Sequence, residues 1–357
     1  MLNRPTLPEL RVTALSLVVG GLGAALGWLV SMPLYLLTGP ALLVSALSLL
    51  GFRFAIATGV RDVAFLFIGI GVGAGVNADA AAAVLRWPVA FVALAIMLVI
   101  AMAACRALLV RGFGFEPRTA VLASAPGHLS FVLALGESYR VDTAKVAVVQ
   151  SVRLLLLTLA VPVIAAIMGL DLSQGMLPAG AELSLLHLAI LCALGITLGW
   201  CLERLCVPAP LLIGAMIVSS LGHLSDLAPG VLNPQLTLVC LVVMGTLIGS
   251  RFSGTTPAQL AGYAGGGTAI TCLTVGLSVL AAVPIALWLG MPIPHVLVAF
   301  APGGLETMIV MGAVLGANPG FVAACHVGRL LILSILIPSF TARAGSDFSK
   351  KSDQNSS

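Results

Sequence analysis

The chain has 357 residues, of which 60% are hydrophobic and 8% are charged, and its formal net charge is +4 at pH 7. Soluble domains carry roughly 25% charged residues, so a chain with a mean hydropathy of +1.14 cannot cover a soluble surface. Long apolar stretches satisfy their backbone in a membrane only as helices or closed barrels. Segments such as VALAIMLVIAMAA (92–104) lack the alternation of a barrel strand. We therefore predict an all-α polytopic membrane protein.

The polar ends of the chain are short. An apolar run from Val12 to Leu37 is too long for a signal-peptide core and has no clear cleavage site, so it is predicted to be the first span. Residues 1–11 are then a cytoplasmic N-terminus. Residues 342–357, which end in KKSDQNSS, are expected to form a disordered cytoplasmic tail.

The chain repeats itself. The stretches 123–162 and 299–338 lie over each other without a gap, and each begins at an Ala-Pro-Gly tripeptide and continues to an arginine, Arg153 or Arg329. Upstream, LGAALGW is mirrored by LGITLGW in the same order. An ordered set of matches indicates a duplication, not chance.

The duplication divides the chain into two membrane repeats, 12–170 and 182–341. The apolar runs of the first repeat are 12–37, 38–52, 62–78, 88–110, an Ala-Pro-Gly element at 119–137, and 144–168. The two repeats are parallel if the Ala-Pro-Gly element crosses the membrane, and inverted if it enters and returns.

The distribution of lysine and arginine, which favour cytoplasmic loops, distinguishes these arrangements. With five crossings per repeat and a cytoplasmic N-terminus, the loops 169–182, 222–234 and 290–294 lie outside and contain neither residue type. Arg86 is then the single exception, whereas six crossings would also put Arg204 outside. We therefore predict two inverted-topology repeats of about five transmembrane helices, each with a broken or re-entrant Ala-Pro-Gly element. The short run 38–52 is the weakest of the spans.

The Ala-Pro-Gly elements interrupt apolar helices. Proline cannot continue a helix from the preceding turn, and glycine allows a tight backbone path. Broken helices at corresponding positions of two halves point to a transporter binding site, where a restarting helix directs its amides at the break. We predict substrate contacts from Pro126, Gly127, Pro302, Gly303 and Gly304. The alternative is a structural kink that only bends the helix.

A single acid, Glu306, occurs between Asp226 and Asp347, in the first turn after the second break. Ionisable residues inside a membrane usually mark an ion or substrate path. Glu306 is therefore our candidate coupling residue, as a proton carrier, a cation ligand or the partner of an arginine. A buried Glu–Arg pair or an N-terminal cap is the structural alternative. The equivalent position is Ser130, preceded by His128, and we predict substrate contacts from both. His128 is also a candidate coupling residue because it could titrate near neutral pH, the alternative being a structural hydrogen bond.

Arg153 and Arg329 lie nine or ten residues into apolar runs, too deep for easy snorkelling. They could hold an anionic substrate, neutralise Glu306, or bond backbone carbonyls at the breaks. Gln150 and His326 lie three residues earlier on the same helix faces. The four side chains could form one polar cluster that binds substrate.

The remaining motifs give little indication of function. GIGVGAG (69–75) superficially resembles a dinucleotide loop, but no strand precedes it, so its glycines are expected to serve close helix packing. The seven cysteines are scattered and read as small core residues. The five histidines show no metal-ligand spacing, and no hydrolase or phosphate motif occurs. We expect no catalytic residues, no metal and no cofactor.

APGHLSFVLALGE and APGGLETMIVMGAVLGANPGFVAACHVGRLLIL resemble the bacterial AbrB-type membrane-protein duplication family, and the resemblance covers residues 12–340. Members are labelled "AbrB family transcriptional regulator" or "ammonia monooxygenase". The first label implies gene regulation, which would be indirect because the sequence has no DNA-binding module. The second implies a metal site that the histidine pattern does not supply. The resemblance assigns no substrate and no site residues.

The sequence thus predicts a multi-pass protein of the bacterial inner membrane, in contact with lipid and not with nucleic acid. The leading interpretation is a secondary transporter of a small solute, an organic anion or amino acid, coupled to H⁺ or Na⁺. The second is a membrane-embedded regulator or sensor that does not transport. An enzyme is not expected, and a homodimer is the working expectation for assembly.

Overall fold

A computed structural model describes residues 6–75, 87–126, 129–139, 141–167 and 180–354, without the side chains of 129–131 and 343–354. Fourteen helices form within these ranges. The first seven are α1 (Leu7–Leu29), α2 (Tyr35–Leu49), α3 (Thr58–Gly73), α4 (Trp87–Phe113), α5 (Pro117–Ser124), α6 (Leu129–Ser138) and α7 (Thr143–Ile167). The other seven are α8 (Leu185–Arg204), α9 (Pro210–Leu224), α10 (Pro234–Ser250), α11 (Pro257–Leu289), α12 (Ile293–Phe300), α13 (Leu305–Val314) and α14 (Pro319–Gln354).

Capping residues fix where several apolar helices begin. At α10, Asn233 Oδ1 accepts hydrogen bonds from the amides of Gln235 and Leu236 at 2.9 and 3.3 Å. At α11, Thr256 and Gln259 form a reciprocal capping box. These contacts satisfy amides that a helix leaves unpaired at its start.

Six of the described helices are long and apolar enough to cross a membrane: α1, α4, α7, α8, α11 and the part of α14 within 319–342. This confirms the predicted all-helical membrane class. Helices α2, α9 and α10 are apolar but have 15, 15 and 17 residues. At 1.5 Å per residue they reach roughly 22–26 Å, less than the roughly 30 Å of a bilayer core.

Two groups of helices pack beside each other. Helices α1–α3 pack with α8–α10, which we call the first group, and α4–α7 pack with α11–α14, the second group. Close crossings in the first group depend on glycine. A Cβ on Gly23 in α1 would lie 2.7 Å from the carbonyl oxygen of Gly39 in α2, and one on Gly214 in α9 would lie 2.7 Å from the backbone nitrogen of Gly199 in α8. The mirrored LGAALGW and LGITLGW motifs thus supply glycines to two similar helix crossings.

Two of the four glycines of GIGVGAG, Gly69 and Gly73, serve close packing as the sequence predicts, whereas a Cβ on Gly71 or Gly75 would meet no atom closer than 3.4 Å. A Cβ on Gly73 in α3 would lie 2.7 Å from Cβ of Ser219 in α9, and one on Gly69 would lie 2.9 Å from Cβ of Ala215. Real Cβ atoms essentially never approach so closely, so only glycine allows the two helices this separation.

The two Ala-Pro-Gly elements are helical hairpins. Nζ of Lys145, at the start of α7, lies 5.9 Å from the ring centroid of Phe115, just before α5. Nε2 of His295, at the start of α12, lies 3.0 Å from the carbonyl oxygen of Leu315, just after α13. Each pair of short helices therefore returns to the end of the bundle from which it starts.

Contacts between distant segments bring particular helix ends together. The amide and carbonyl of Phe54 exchange hydrogen bonds with Ser253 Oγ at 2.7 and 2.9 Å. The ring of Trp87 lies 5.4 Å from that of Phe321.

Helix α14 runs on to Gln354, through the segment for which the sequence predicts a disordered tail. The boundaries 12–170 and 182–341 stay a prediction.

Candidate functional site

A cavity of about 170 Å³ lies where the second hairpin meets α3, α7, α10 and α14. Its wall contains much of the polar chemistry that the sequence singles out. The polar and hairpin residues that line it are Arg61, Gln150, Ser151, Arg153, Arg251, Pro302, Gly303, Gly304, Glu306 and Arg329.

The hairpin turn at Ala301–Gly304 exposes backbone to this cavity. Ala301 and Gly304 are extended, with φ/ψ of −58/137° and −68/138°, which ends α12 and lets α13 start afresh. Pro302 removes a donor within the turn. Gly304 provides no side-chain cap for α13, whose first amides lie beside cavity residues Leu305 and Glu306.

Arg329 ties the second turn to α14. Its Nη1 donates to the carbonyl of Ala301 at 2.7 Å and its Nη2 to the carbonyl of Gly303 at 2.8 Å. The residue is only 3% exposed. Carbonyls freed by a helix break thus receive charge-assisted hydrogen bonds inside the protein.

Arg153 makes the corresponding contact to the first turn. Its Nη1 donates to the carbonyl of Ala125 at 3.1 Å, and its Nη2 to Oε1 of Gln150 at 2.6 Å. Gln150 Nε2 donates to the carbonyls of Ala125 and Leu122 at 2.9 and 3.1 Å. Among the described residues, the carbonyl of Ala125 thus has two side-chain donors, whereas the carbonyls of Ala301 and Gly303 each have one, Arg329.

Of the three roles considered for the arginines, bonding the carbonyls at the breaks is the one seen in these contacts. Neither Arg153 nor Arg329 forms an ion pair with an acid among the described residues. The Nε atoms of both are buried without a hydrogen-bond partner there. Both residues line the cavity, so each brings an uncompensated positive charge to its wall.

Glu306 is half-buried in the first turn of α13 and lines the cavity. Within the described residues its carboxylate makes neither a hydrogen bond nor an ion pair, so the buried Glu–Arg pair is not formed there. Glu306 also lines a second, larger cavity of about 850 Å³, which extends past the end of α8 and adjoins the first.

The predicted polar cluster forms only in part. His326 is fully buried and does not line the cavity. Its Nδ1 donates to the carbonyl of Val322 at 2.9 Å, and its Nε2 has no partner among the described residues. Histidine thus bonds its own helix, while the aligned Gln150 reaches the neighbouring turn.

The first hairpin contributes less to the cavity. Pro126 is buried but does not line it. Gly127 and His128 lie outside the described residues, as does the side chain of Ser130. Their predicted contacts with substrate stay predictions.

Sequence reasoning missed two arginines of the cavity wall. Arg61 lies in the first turn of α3, and its Nη2 is 2.8 Å from Oδ1 of Asp62. Arg251 follows α10 and is exposed, with neither an ion pair nor a hydrogen bond from its side chain within the described residues. Each adjoins an apolar run, and the five-crossing arrangement predicts both as ordinary cytoplasmic loop charges. No group of three or more potential metal ligands occurs in the described part of the chain.

Six long apolar helices in the described part of the chain, with a polar cavity at the second hairpin, define a multi-pass type of membrane protein. The chain belongs to the AbrB family, because the family model described as "Transition state regulatory protein AbrB" matches residues 6–344. It is similar to the "Uncharacterized protein YhjN" of Bacillus subtilis (strain 168), with 26% identity over 261 residues. That match covers 67% of this chain and 66% of the relative, slightly less than two thirds of its length. No solved structure matches the chain.

Proposed function

We propose that this protein is a secondary transporter of a small solute, an organic anion or amino acid, coupled to H⁺ or Na⁺. The observation that carries the proposal is the cavity at the second hairpin, whose wall combines Arg153 and Arg329 with Glu306. Buried cations without an acidic partner are costly in a membrane. An anionic solute offsets that cost.

The size of the cavity limits the solute. An engineered apolar cavity of about 150 Å³ holds a benzene ring. A cavity of about 170 Å³ therefore suits a molecule on the order of six to eight non-hydrogen atoms. The larger adjoining cavity of about 850 Å³ serves as an entrance.

We propose the two-repeat, inverted arrangement for the membrane. Phe54 and Ser253, which hydrogen-bond each other, both lie on the cytoplasmic side in this arrangement, and Trp87 and Phe321 both lie outside. The hairpins then enter from opposite faces, and the entrance cavity beside Glu203 opens to the cytoplasm. The inner membrane of a bacterium and cytoplasmic ends of the chain follow from the same charge distribution.

Cysteine labelling tests this arrangement. Single cysteines at Gly175 and at Leu227, which is 74% exposed, are both expected to react with an impermeant maleimide added outside intact cells. Labelling at only one of the two positions refutes the inverted repeats. A cysteine at Arg53, expected in the cytoplasm, is the unlabelled control.

Glu306 is the proposed coupling residue, because its carboxylate has no partner among the described residues and borders both cavities. Protonation or a bound sodium ion would change the charge beside the solute. Such a charge change is what links an ion gradient to solute binding. His128 remains the second candidate for coupling.

The second candidate is a membrane-embedded sensor that affects gene expression without binding DNA, which the "regulatory" wording of the family description favours. Uptake by proteoliposomes separates the two functions. A transporter accumulates a labelled small carboxylate or amino acid when a proton or sodium gradient is imposed. A sensor binds solute, as thermal stabilisation would detect, but transports none across a panel of such solutes.

A further inference from the structure

The charges at the cavity come from both groups of helices. Arg153 and Arg329 belong to α7 and α14 of the second group, whereas Arg61 and Arg251 lie at α3 and α10 of the first. Four guanidinium groups therefore surround a space of about 170 Å³.

The partners of these arginines decide the net charge. Arg61 is neutralised by Asp62, to which its Nε and Nη2 donate at 3.0 and 2.8 Å. Arg153 and Arg329 bond only neutral carbonyl and amide oxygens, so their charges persist.

Arg251 adds a third positive charge without an acidic partner in the described part of the chain, and Glu306 supplies one negative charge. The excess is two positive charges. A zwitterion would leave it in place, and a monoanion would cancel half of it.

From this balance we infer that the solute is a small dianion with two acidic groups, such as a short dicarboxylate, and that it bridges the two groups of helices. One carboxylate lies beside the guanidinium groups of Arg153 and Arg329, which line the cavity and have no acidic partner among the described residues. The other lies at Arg251 and beside Arg61. This inference names the substrate class of the proposed transport site and therefore rests on the proposed function.

A bridging dianion would also draw the two groups of helices together. Without a bound anion the arginines of the two groups repel each other across a low-dielectric space. A dianion screens both sets and contacts both groups at once. A monoanion held by Arg153 and Arg329 leaves Arg251 unsatisfied, so it binds without drawing the groups together.

Binding to the purified full-length protein in detergent tests the inference without requiring transport. Three probes share one chain length: butanedioate, butanoate and 4-aminobutanoate, compared at equal ionic strength, with the three- and five-carbon diacids and monoacids alongside. Butanedioate is expected to bind at least tenfold more tightly than the other two, which corresponds to about 1.4 kcal/mol.

Arg251→Gln is the discriminating variant, because Arg251 is exposed and touches no break. It is expected to reduce the preference for butanedioate over butanoate to less than threefold. Arg11→Gln removes the same charge from an exposed site on α1 and is expected to leave the preference unchanged. Equal binding, or no binding, of diacids and monoacids at every chain length overturns the inference, as does an unchanged preference in Arg251→Gln.

The outcomes separate this inference from the proposed function. A dianion preference with no flux in proteoliposomes overturns transport and leaves the dianion site standing. Ion-driven flux of a monoanion without a preference for diacids does the reverse.

Discussion

The two buried arginines make similar contacts and should contribute similarly to stability. In Arg329→Met, the carbonyl of Gly303 loses its side-chain donor, whereas the carbonyl of Ala301 keeps a 2.9 Å hydrogen bond from the amide of Gly303. An unsatisfied buried acceptor costs about 1–3 kcal/mol, so this variant should lose about 1–3 kcal/mol of unfolding free energy. In Arg153→Met, the carbonyl of Ala125 keeps its 2.9 Å hydrogen bond from Gln150.

Arg153→Met therefore leaves one orphan, Oε1 of Gln150, and should cost about 1–3 kcal/mol. Arg153 and Arg329 are 5% and 3% exposed, and each has an unpartnered Nε. Removing the buried charge should therefore stabilise both variants by a similar amount, which does not affect the comparison between them. Each variant thus leaves one orphaned acceptor, so the two losses should differ by less than about 1 kcal/mol.

Denaturant unfolding in one detergent, followed by tryptophan fluorescence, measures this difference. Arg11→Met, at an exposed site on α1, is the control and should change stability by no more than about 0.5 kcal/mol. If either variant proves as stable as Arg11→Met, the carbonyl contacts do not explain why these arginines are buried.

Two further predictions concern packing and the hairpin. Gly73→Ala should destabilise the protein by about 1–3 kcal/mol, because the added methyl group meets α9 at 2.7 Å. Gly276→Ala on α11 is the control: it has open space around it and should be neutral or stabilise the protein by up to about 1 kcal/mol. Equal changes in melting temperature for the two variants would refute the close crossing of α3 and α9. His295→Ala removes the 3.0 Å contact to Leu315 that ties the ends of the second hairpin. It should increase amide hydrogen exchange in α13, and unchanged exchange there would contradict the role of this contact.

The duplication in the sequence carried the most reliable part of the site prediction. Alignment of the two Ala-Pro-Gly tripeptides put Arg153 and Arg329 at equivalent positions, and each donates to the carbonyl of the alanine in its own turn, Ala125 or Ala301. Such a contact follows from sequence because the broken backbone must find a donor somewhere in the apolar surroundings.

The remainder of the cavity depends on tertiary packing. Arg61 and Arg251 lie beyond apolar runs, where nothing in a single sequence distinguishes a loop charge in solvent from one beside a cavity. Gln150 and His326 align, yet their bonding differs. The histidine Nδ1 is satisfied by the carbonyl of Val322 on its own helix, so the side chain does not reach the turn. The alignment of the two repeats therefore predicts where a side chain lies better than it predicts which hydrogen bonds that side chain forms.

The central claim is that the cavity binds the solute and that Glu306 couples its movement to an ion. The most direct measurement compares two transport modes of Glu306→Gln in proteoliposomes, with Glu203→Gln at the wall of the larger cavity as the matched control. We predict that Glu306→Gln still exchanges solute when no ion gradient is imposed but no longer accumulates solute when a gradient is imposed. Glu203→Gln is expected to keep both activities. Gradient-driven accumulation by Glu306→Gln at the wild-type rate would contradict the account.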